Sequence, residues 1–181
     1  MNRLSLSAAL LAVLLPIHAR TLKSPLPATD QQRMTAIPYS QVQAWQANGH
    51  LKCLSRFALR NGKEHVVRYQ AQHLGLPVEG IHVVLRQGSN LPSLGLSWDP
   101  DRLPSAQPAL TPDQAGALFR NHHARQGRNP QLQGNPELCF LPRPDGSFAL
   151  CYAVTLTEGF CFARKGFIDA QGGTLLEERT L

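Results

Sequence analysis

The sequence lacks the local motifs of the common secreted hydrolases. No histidine is followed by glutamate, so the paired-histidine helix motif of zinc proteases is missing. There is no Gly-x-Ser-x-Gly segment to place a nucleophilic serine on a sharp turn, and there is no Cys-x-x-Cys redox pair. These absences predict a chain that is not an enzyme, with no catalytic residues and no metal or cofactor of its own.

Clustered cations are also absent. Lysine and arginine number 18 against 12 aspartate and glutamate residues, for a formal net charge of +6, yet the longest cation run is Arg164-Lys165. A surface that follows nucleic-acid phosphates needs clustered cations. We therefore expect no nucleic-acid partner, while an acidic partner protein remains possible.

Long apolar runs are confined to the amino terminus. Residues 1–19 contain Arg3, an apolar run from Leu4 to Leu15 and a small residue at Ala19. The run is shorter than the ~20 residues needed to span a bilayer, so it indicates a cleaved secretory signal peptide more than a membrane anchor. The sequence predicts a secreted or periplasmic protein that is free of the membrane after cleavage, with an extended leader over residues 20–38.

Four cysteines are present, an even number that permits three disulfide pairings in an oxidising compartment. A three-residue Pro-Asp-Gly loop within residues 143–147 would place Cys139 opposite Cys151 on two paired strands. This register favours a Cys139–Cys151 disulfide and leaves Cys53 with Cys161. The alternative is four buried free thiols that act as small apolar residues.

The histidines do not have the spacing of a zinc site. His65, His73 and His82 could approach one another across neighbouring strands, but no zinc-site spacing supports a metal there. His122 and His123 are adjacent and point about 100° apart on a helix, so they cannot bind one ion together. The sequence thus predicts no metal site.

Residues 39–98 have the pattern of a small sheet packed against one helix. Ser40 to Gln43 has the form of a capping box, and Asn48-Gly49 can end the helix. Two strands, Leu51 to Leu59 and Glu64 to Gln72, flank an Asn-Gly hairpin turn, and a third strand is predicted from Ile81 to Gln87. Alternation in the second strand places on one face His65, Val67, Tyr69 and Ala71, and on the other Val66, Arg68 and Gln70.

A second unit is predicted over residues 111–181, after a proline-rich linker at residues 99–110. A capping box from Thr111 to Gln114 begins a helix whose apolar face is predicted to hold Ala115, Leu118, Phe119 and His122. Three strands follow, Leu138 to Leu141, Phe148 to Leu156 and roughly Phe160 to Ala170. The predicted fold class is α+β, with two small modules that each pack an antiparallel sheet against a helix.

The segment HVVRYQAQ at residues 65–72, followed by GLPVEGIHVV at residues 75–84, resembles the propeptide of thermolysin-like and fungalysin-like secreted metalloproteases. That family has a strand of the type Val-Arg-Phe/Tyr-Gln-Gln and a Gly-x-Pro-Val-x-Gly corner. The matching positions are Arg68, Tyr69, Gln70, Gly75, Pro77, Val78 and Gly80. Gly75 and Pro77 are expected to reverse the chain before the third strand, and Gly80 is expected to give that strand room for close backbone approach. Ala71 departs from the family pattern, which has a second glutamine there.

The second unit resembles the PepSY module of the same propeptides. The similarity lies in residues 138–140, 150–154 and 167–176, with Tyr152, Asp169 and Gly173 at motif positions. Gly172 departs from the threonine that is common before the glycine.

The resemblance implies a propeptide-like protein without the catalytic domain, which acts as a folding chaperone or inhibitor of a thermolysin-like zinc metalloprotease. Zinc would belong to that partner, and the terminal residues Arg179, Thr180 and Leu181 would enter its cleft. Two alternatives remain. The chain is a secreted or periplasmic binding module with a non-protease partner, or it is the amino-terminal remnant of a metalloprotease precursor.

Overall fold

The computed structural model describes residues 34–59, 62, 64–87, 93–96, 98–159 and 162–181. The predicted signal peptide, most of the leader and Cys161 lie outside these residues. The strands are β1 (Met34–Ile37), β2 (Leu51–Ala58), β3 (His65–His73), β4 (Leu76–Gln87), β5 (Ser93–Leu96), β6 (Gln131–Leu132), β7 (Glu137–Pro142), β8 (Phe148–Glu158), β9 (Phe162–Asp169) and β10 (Leu175–Thr180). The helices are α1 (Tyr39–Ala47) and α2 (Pro112–Ala124), with a 3₁₀ turn at Pro100–Arg102.

All ten strands belong to one continuous sheet. The first half contributes β2, β3 and β4 as antiparallel neighbours, and the second half contributes β7 to β10. The halves join where β4 runs parallel to β7, with Val78 opposite Phe140. The predicted fold class of two separate small modules is therefore wrong, since one mixed sheet runs through both.

The length of β4 explains the error. The sequence predicted a strand from Ile81, because Gly75 and Pro77 were interpreted as a break. The strand begins at Leu76 and includes Pro77 and Gly80. Among its added residues, Val78 pairs with β7, whereas Leu76 and Pro77 pair with β3, as residues 82–87 do.

One hydrophobic core also spans both halves. It contains Val42 and Trp45 from α1, Val78 from β4, Phe119 from α2 and Phe140 from β7. A smaller cluster formed by Cys139, Leu141, Cys151, Ala153 and Phe167 lies in the second half.

Helix α1 starts two residues earlier than predicted. Pro38 is the N-cap and its carbonyl accepts hydrogen bonds from the backbone N–H groups of Gln41 and Val42, at 3.0 and 3.3 Å. Ser40 lies inside the helix and makes no cap, so the predicted capping box is wrong. The predicted end is confirmed, with Asn48 at the C-cap and Gly49 at a φ of 72°.

Helix α2 begins with the predicted capping box. The Thr111 N–H donates to the Gln114 side chain at 2.8 Å, and the Gln114 N–H donates to the Thr111 hydroxyl at 3.3 Å. The buried face differs from the prediction, because His123 is buried whereas Leu118 and His122 are exposed. Ala115, Phe119 and His123, spaced four residues apart, form the line that packs on the sheet.

The two predicted hairpins are confirmed. β2 pairs with β3, and β7 pairs with β8 in the register that places Cys139 opposite Cys151. The Arg143 N–H donates to the Ser147 carbonyl at 2.9 Å, as the loop pattern predicts. Strand β10 was not predicted, and it pairs with β9 along residues 175–180.

Candidate binding surface

The family-motif strand β3 divides its side chains between the core and the solvent. Val67, Tyr69 and Ala71 are buried on the core face, and Arg68 is exposed on the other. The alternation predicted for this strand is confirmed. The Arg68 side chain is thus available to a partner, whereas Tyr69 packs in the core.

The outer side of β2, β3 and β4 carries three cations and one exposed aromatic ring. In the strand register, Lys52 lies opposite Gln70, Ser55 opposite Arg68, and both Phe57 and Arg86 opposite Val66. Directly opposed residues share a face of the sheet. We call Lys52, Arg68, Arg86 and Phe57 the basic face, and all four side chains are exposed, with Phe57 47% exposed.

The cations of the basic face have no ion-pair or hydrogen-bond partner among the residues that the structure describes. Three cations of the second half, Arg164, Lys165 and Arg179, differ, since each contacts a glutamate. A cation without a partner in its own chain can pair with an external carboxylate without first losing an internal one.

Strand β2 forms an exposed edge beside this face. Seven of its eight residues are exposed, and only Leu51 is buried. Within the described part of the chain, no strand pairs with its far edge. A β-bulge lies between Cys53 and Ser55, and the bulged Leu54 is 47% exposed. Bulges and charges commonly protect an edge from unwanted pairing.

A groove of about 270 Å³ lies where the first half meets β7. Its lining residues are Lys52, Gln70, Gln72, Gly75, Pro77, Glu137 and Leu138. Three of these, Gln70, Gly75 and Pro77, are positions of the family motif. The groove opens next to Lys52, so it is continuous with the basic face.

Gly80 has a different role from the one predicted. We expected it to permit close backbone approach, but a Cβ atom there would have nothing within 4 Å. Its φ of +71° is the reason for glycine, because this left-handed conformation strains most other residues. Val78, two residues earlier, is buried and forms the pairing with Phe140.

The motif residues of the second half hold the closing turns in place. The Tyr152 hydroxyl donates to the Leu110 carbonyl at 2.9 Å, and burial raises the pKa of this tyrosine. The Asp169 carboxylate accepts the Gly172 N–H at 2.7 Å, and Gly173 has a φ of +73°. These contacts anchor the linker and the turn before β10.

The carboxyl-terminal segment lies in the sheet. Arg179 and Thr180 belong to β10, and the Leu181 N–H donates to the Ala163 carbonyl at 2.9 Å. The Leu181 side chain is 67% exposed. Entry of Thr180 into a protease cleft would therefore require the end of β10 to leave β9.

Glu79 connects the two halves through charge. The Lys165 ammonium lies 3.1 Å from both Glu79 oxygens, and the Arg179 guanidinium lies 3.1 Å from one of them. Both cations also lie over the Phe167 ring, at 5.2 and 4.8 Å from its centre. Glu79 is the second of the two variable positions in the Gly-x-Pro-Val-x-Gly corner, so the sequence pattern gave no signal for this role.

His123 is the buried polar residue of the second half. It is 1% exposed, its Nε2 lies 3.5 Å from a Glu178 oxygen, and its Nδ1 lies 3.4 Å from the Arg128 guanidinium. Burial lowers the pKa of His123 below the ordinary 6.5, and the Glu178 carboxylate offsets this only in part. The sequence pattern gave no signal for His123, because helical spacing from Ala115 favoured His122 for the packed face.

The histidines of the first half do not gather into one site. His65 is exposed on β3, while His73 stacks on His50 with ring centres 6.0 Å apart and contacts Phe140 edge-on. Among the described residues, no group of three or more His, Cys, Asp or Glu residues could hold a metal ion.

Cys139 and Cys151 face each other inside the sheet. Their sulfur atoms are 3.5 Å apart and both thiols are free, so the structure does not contain the predicted Cys139–Cys151 disulfide. Both residues are almost fully buried. The hydrogen bond between the two thiols and burial both raise the pKa of Cys151. Cys53 is exposed, and its predicted pairing with Cys161 lies outside the described residues.

Comparisons with known proteins show no family. No family model and no curated protein matches the chain. The C-terminal domain of YpeB from Bacillus megaterium is similar in structure, with a TM-score of 0.44 and 14% identity, over 78% of this chain and 62% of that one. A candidate lipoprotein from Clostridium difficile 630 has a TM-score of 0.32 and 12% identity, over 81% of this chain and 94% of that one.

This chain therefore spans less than two thirds of the YpeB chain. Likenesses at these scores support no argument about function. In the described part of the chain, no helix has the length and apolar character needed to cross a membrane.

Proposed function

We propose that this chain is an exported, non-catalytic binding module that acts on a thermolysin-like zinc metalloprotease as folding chaperone, inhibitor or both. The observation that carries the proposal is the basic face, whose exposed cations have no partner among the described residues. The motif resemblance of residues 65–84 supplies the class of partner.

A protein with this role needs shape and charge, and it needs no reacting groups. A stable protein complex of standard size buries roughly 800 Å² on each partner, an area that one sheet face and its edge can supply. Strand β2 and the basic face offer such a surface on a rigid sheet. The zinc ion and the catalytic residues would belong to the protease.

The sheet face suits this role better than the terminal segment. Arg179 is held by Glu79 and by Glu177, and β10 is paired with β9 as far as Thr180. Insertion of this segment into a cleft would break those contacts. We therefore expect deletion of Thr180 and Leu181 to leave inhibition unchanged.

The test mixes the purified mature chain with the catalytic domain of a thermolysin-like protease and measures peptidase activity and refolding yield. We expect at least one of the two to change, and Arg68→Ala to reduce the effect without altering the melting temperature. Arg120→Ala is the matched control, because Arg120 is an exposed cation on α2. An unchanged activity together with an unchanged refolding yield would rule the proposal out.

A second candidate function is a binding module with a non-protease partner. The exposed β2 edge favours it, because edge strands accept partner strands without reference to protease chemistry. A neighbouring gene that encodes a thermolysin-like catalytic domain without its own propeptide would favour the first function. Its absence would favour the second.

A further inference from the structure

The three cations of the basic face lie on a diagonal line across the sheet. Lys52 on β2 lies opposite Gln70 of β3, and Arg68 is two residues from Gln70. Arg68 lies opposite Val84 of β4, and Arg86 is two residues from Val84 in the same direction along the sheet. Each step crosses one strand and covers two residues, so successive Cα atoms are about 8 Å apart. The line thus has three positive positions at an even spacing.

An extended peptide has nearly the same spacing on one of its sides. Residues i and i+2 of a strand point the same way and are about 7 Å apart. Carboxylates at alternate positions would therefore reach Lys52, Arg68 and Arg86 in turn, since the long cationic side chains can cover the small difference. Arginine also pairs with a carboxylate through two parallel hydrogen bonds.

The apolar part of the surface lies at one end of this line. Phe57 is in the same row as Arg86, with Val66 between them. Val66 is 7% exposed while Phe57 is 47% exposed, so the ring presents an open apolar contact beside the last cation. A large apolar residue at one end of an acidic segment would cover it.

We propose that the basic face binds an extended acidic segment of a partner protein, with carboxylates at alternate positions and an apolar residue at the Phe57 end. This inference rests on the proposed function only in taking the chain to be a binding module, and it adds the chemistry by which the partner is recognised. A merely solvated face would bind no acidic sequence in preference to another.

The test uses a labelled octapeptide of alternating glutamate and threonine with one terminal leucine, and a second octapeptide of the same composition with its glutamates in one block. Fluorescence anisotropy at low salt gives both affinities for the mature chain. We expect the alternating peptide to bind several times more tightly than the block peptide. The affinity should fall as salt is raised, because exposed ion pairs are screened.

Variants of equal charge locate the site. Arg68→Gln combined with Arg86→Gln should weaken binding about fivefold to tenfold, the effect of losing two exposed ion pairs. Arg120→Gln combined with Arg125→Gln removes the same charge from α2 and its C-cap and should change the affinity less than twofold. Circular dichroism checks that both variants fold.

Three results would overturn the inference: no binding of the alternating peptide, equal binding of the block peptide, or equal losses in the two double variants. The outcome is separable from that of the proposed function. If the protease assay shows an effect that survives Arg68→Gln with Arg86→Gln, the acidic-segment inference fails and the protease function stands. If the peptide binds at the basic face but the protease is unaffected, the acidic-segment inference stands and the protease function fails.

Discussion

At the scale of single residues, the position of the Phe119 ring requires glycine at position 166. A Cβ atom at this position of β9 would lie 2.4 to 2.7 Å from three ring carbons of Phe119, far inside contact distance. Phe119 is fully buried and belongs to the shared core. Helix α2 can therefore pack closely on the sheet only because residue 166 has no side chain.

We predict that Gly166→Ala destabilises the protein by about 1–3 kcal/mol, the usual cost of overpacking. Adding Phe119→Leu should recover part of this loss, because the smaller side chain leaves room for the methyl group. Urea unfolding of the two single variants and the double variant measures the coupling. Strictly additive losses would show that the ring does not set the requirement for glycine.

His123 should make the protein sensitive to acid. Its pKa is lowered in the folded state, so the unfolded chain takes up a proton more readily. Stability is then complete above the ordinary pKa of 6.5 and is lost as pH falls below it. The charges that face the ring are Glu178, Arg128, Arg164 and His122, and only Glu178 opposes the effect.

The measurement compares the midpoints of urea unfolding at about pH 7.5 and about pH 5.5, on either side of the ordinary histidine pKa. His123→Gln should reduce the difference between the two midpoints, whereas His65→Gln, which changes an exposed histidine on β3, should leave it unchanged. An unchanged difference in His123→Gln would show that another group is responsible.

The buried pair Cys139 and Cys151 leads to a prediction about disulfide formation. Cys139 and Cys151 are opposite each other with sulfur atoms 3.5 Å apart, so export through an oxidising compartment should join them. Alkylation of the unfolded, unreduced chain should leave both unlabelled, and prior reduction should expose them. Cys53→Ser serves as control and should not change this result. Labelling of both thiols without reduction would show that they remain free.

At the scale of elements, the hairpin signals were reliable, whereas the cap predicted at Ser40 and the long-range pairing were not. The β2–β3 and β7–β8 hairpins follow from turn chemistry and alternation, both of which are properties of adjacent residues. The parallel pairing of Val78 with Phe140 joins residues far apart in sequence. One apolar side chain in each strand gives no sequence signal for this pairing. Strand β10 was missed because its run of charged residues, Glu177 to Arg179, does not alternate with apolar ones.

The backbone conformation of Gly80 in β4 leads to a prediction about stability. Gly80 has a φ of +71°, so Gly80→Val should cost roughly 1–2 kcal/mol or more of strain. This corresponds to a fall in melting temperature of several degrees for a chain of this size. Gly80→Asn is the matched control and should cost less, because asparagine tolerates this conformation better. Equal losses would indicate that space, and not φ, restricts the position.

At the scale of the whole molecule, the candidate site was only partly predictable. Alternation along β3 correctly placed Arg68 on the solvent side. The contributions of Lys52 and Arg86 depend on how three strands are aligned, and the lack of internal partners depends on where every carboxylate lies. Neither property is local, so both required the structure.

The charge contacts of Glu79 should contribute to how firmly the halves hold together. Glu79→Gln removes the shared partner of Lys165 and Arg179, and we expect a loss of about 1–3 kcal/mol. Hydrogen exchange should rise in β10 more than in β3. Glu137→Gln, an exposed groove residue, is the control. Unchanged exchange in β10 would show that Glu79 does not secure that strand.

The shared core determines the outcome of proteolytic cleavage in the linker. Residues 99–110 connect the halves over an exposed surface, yet Val78, Phe119 and Phe140 belong to one buried cluster. A protease that cleaves between Asp99 and Pro108 would therefore not release two independent domains. The two fragments should stay together as a noncovalent pair, elute as one species and melt in one transition.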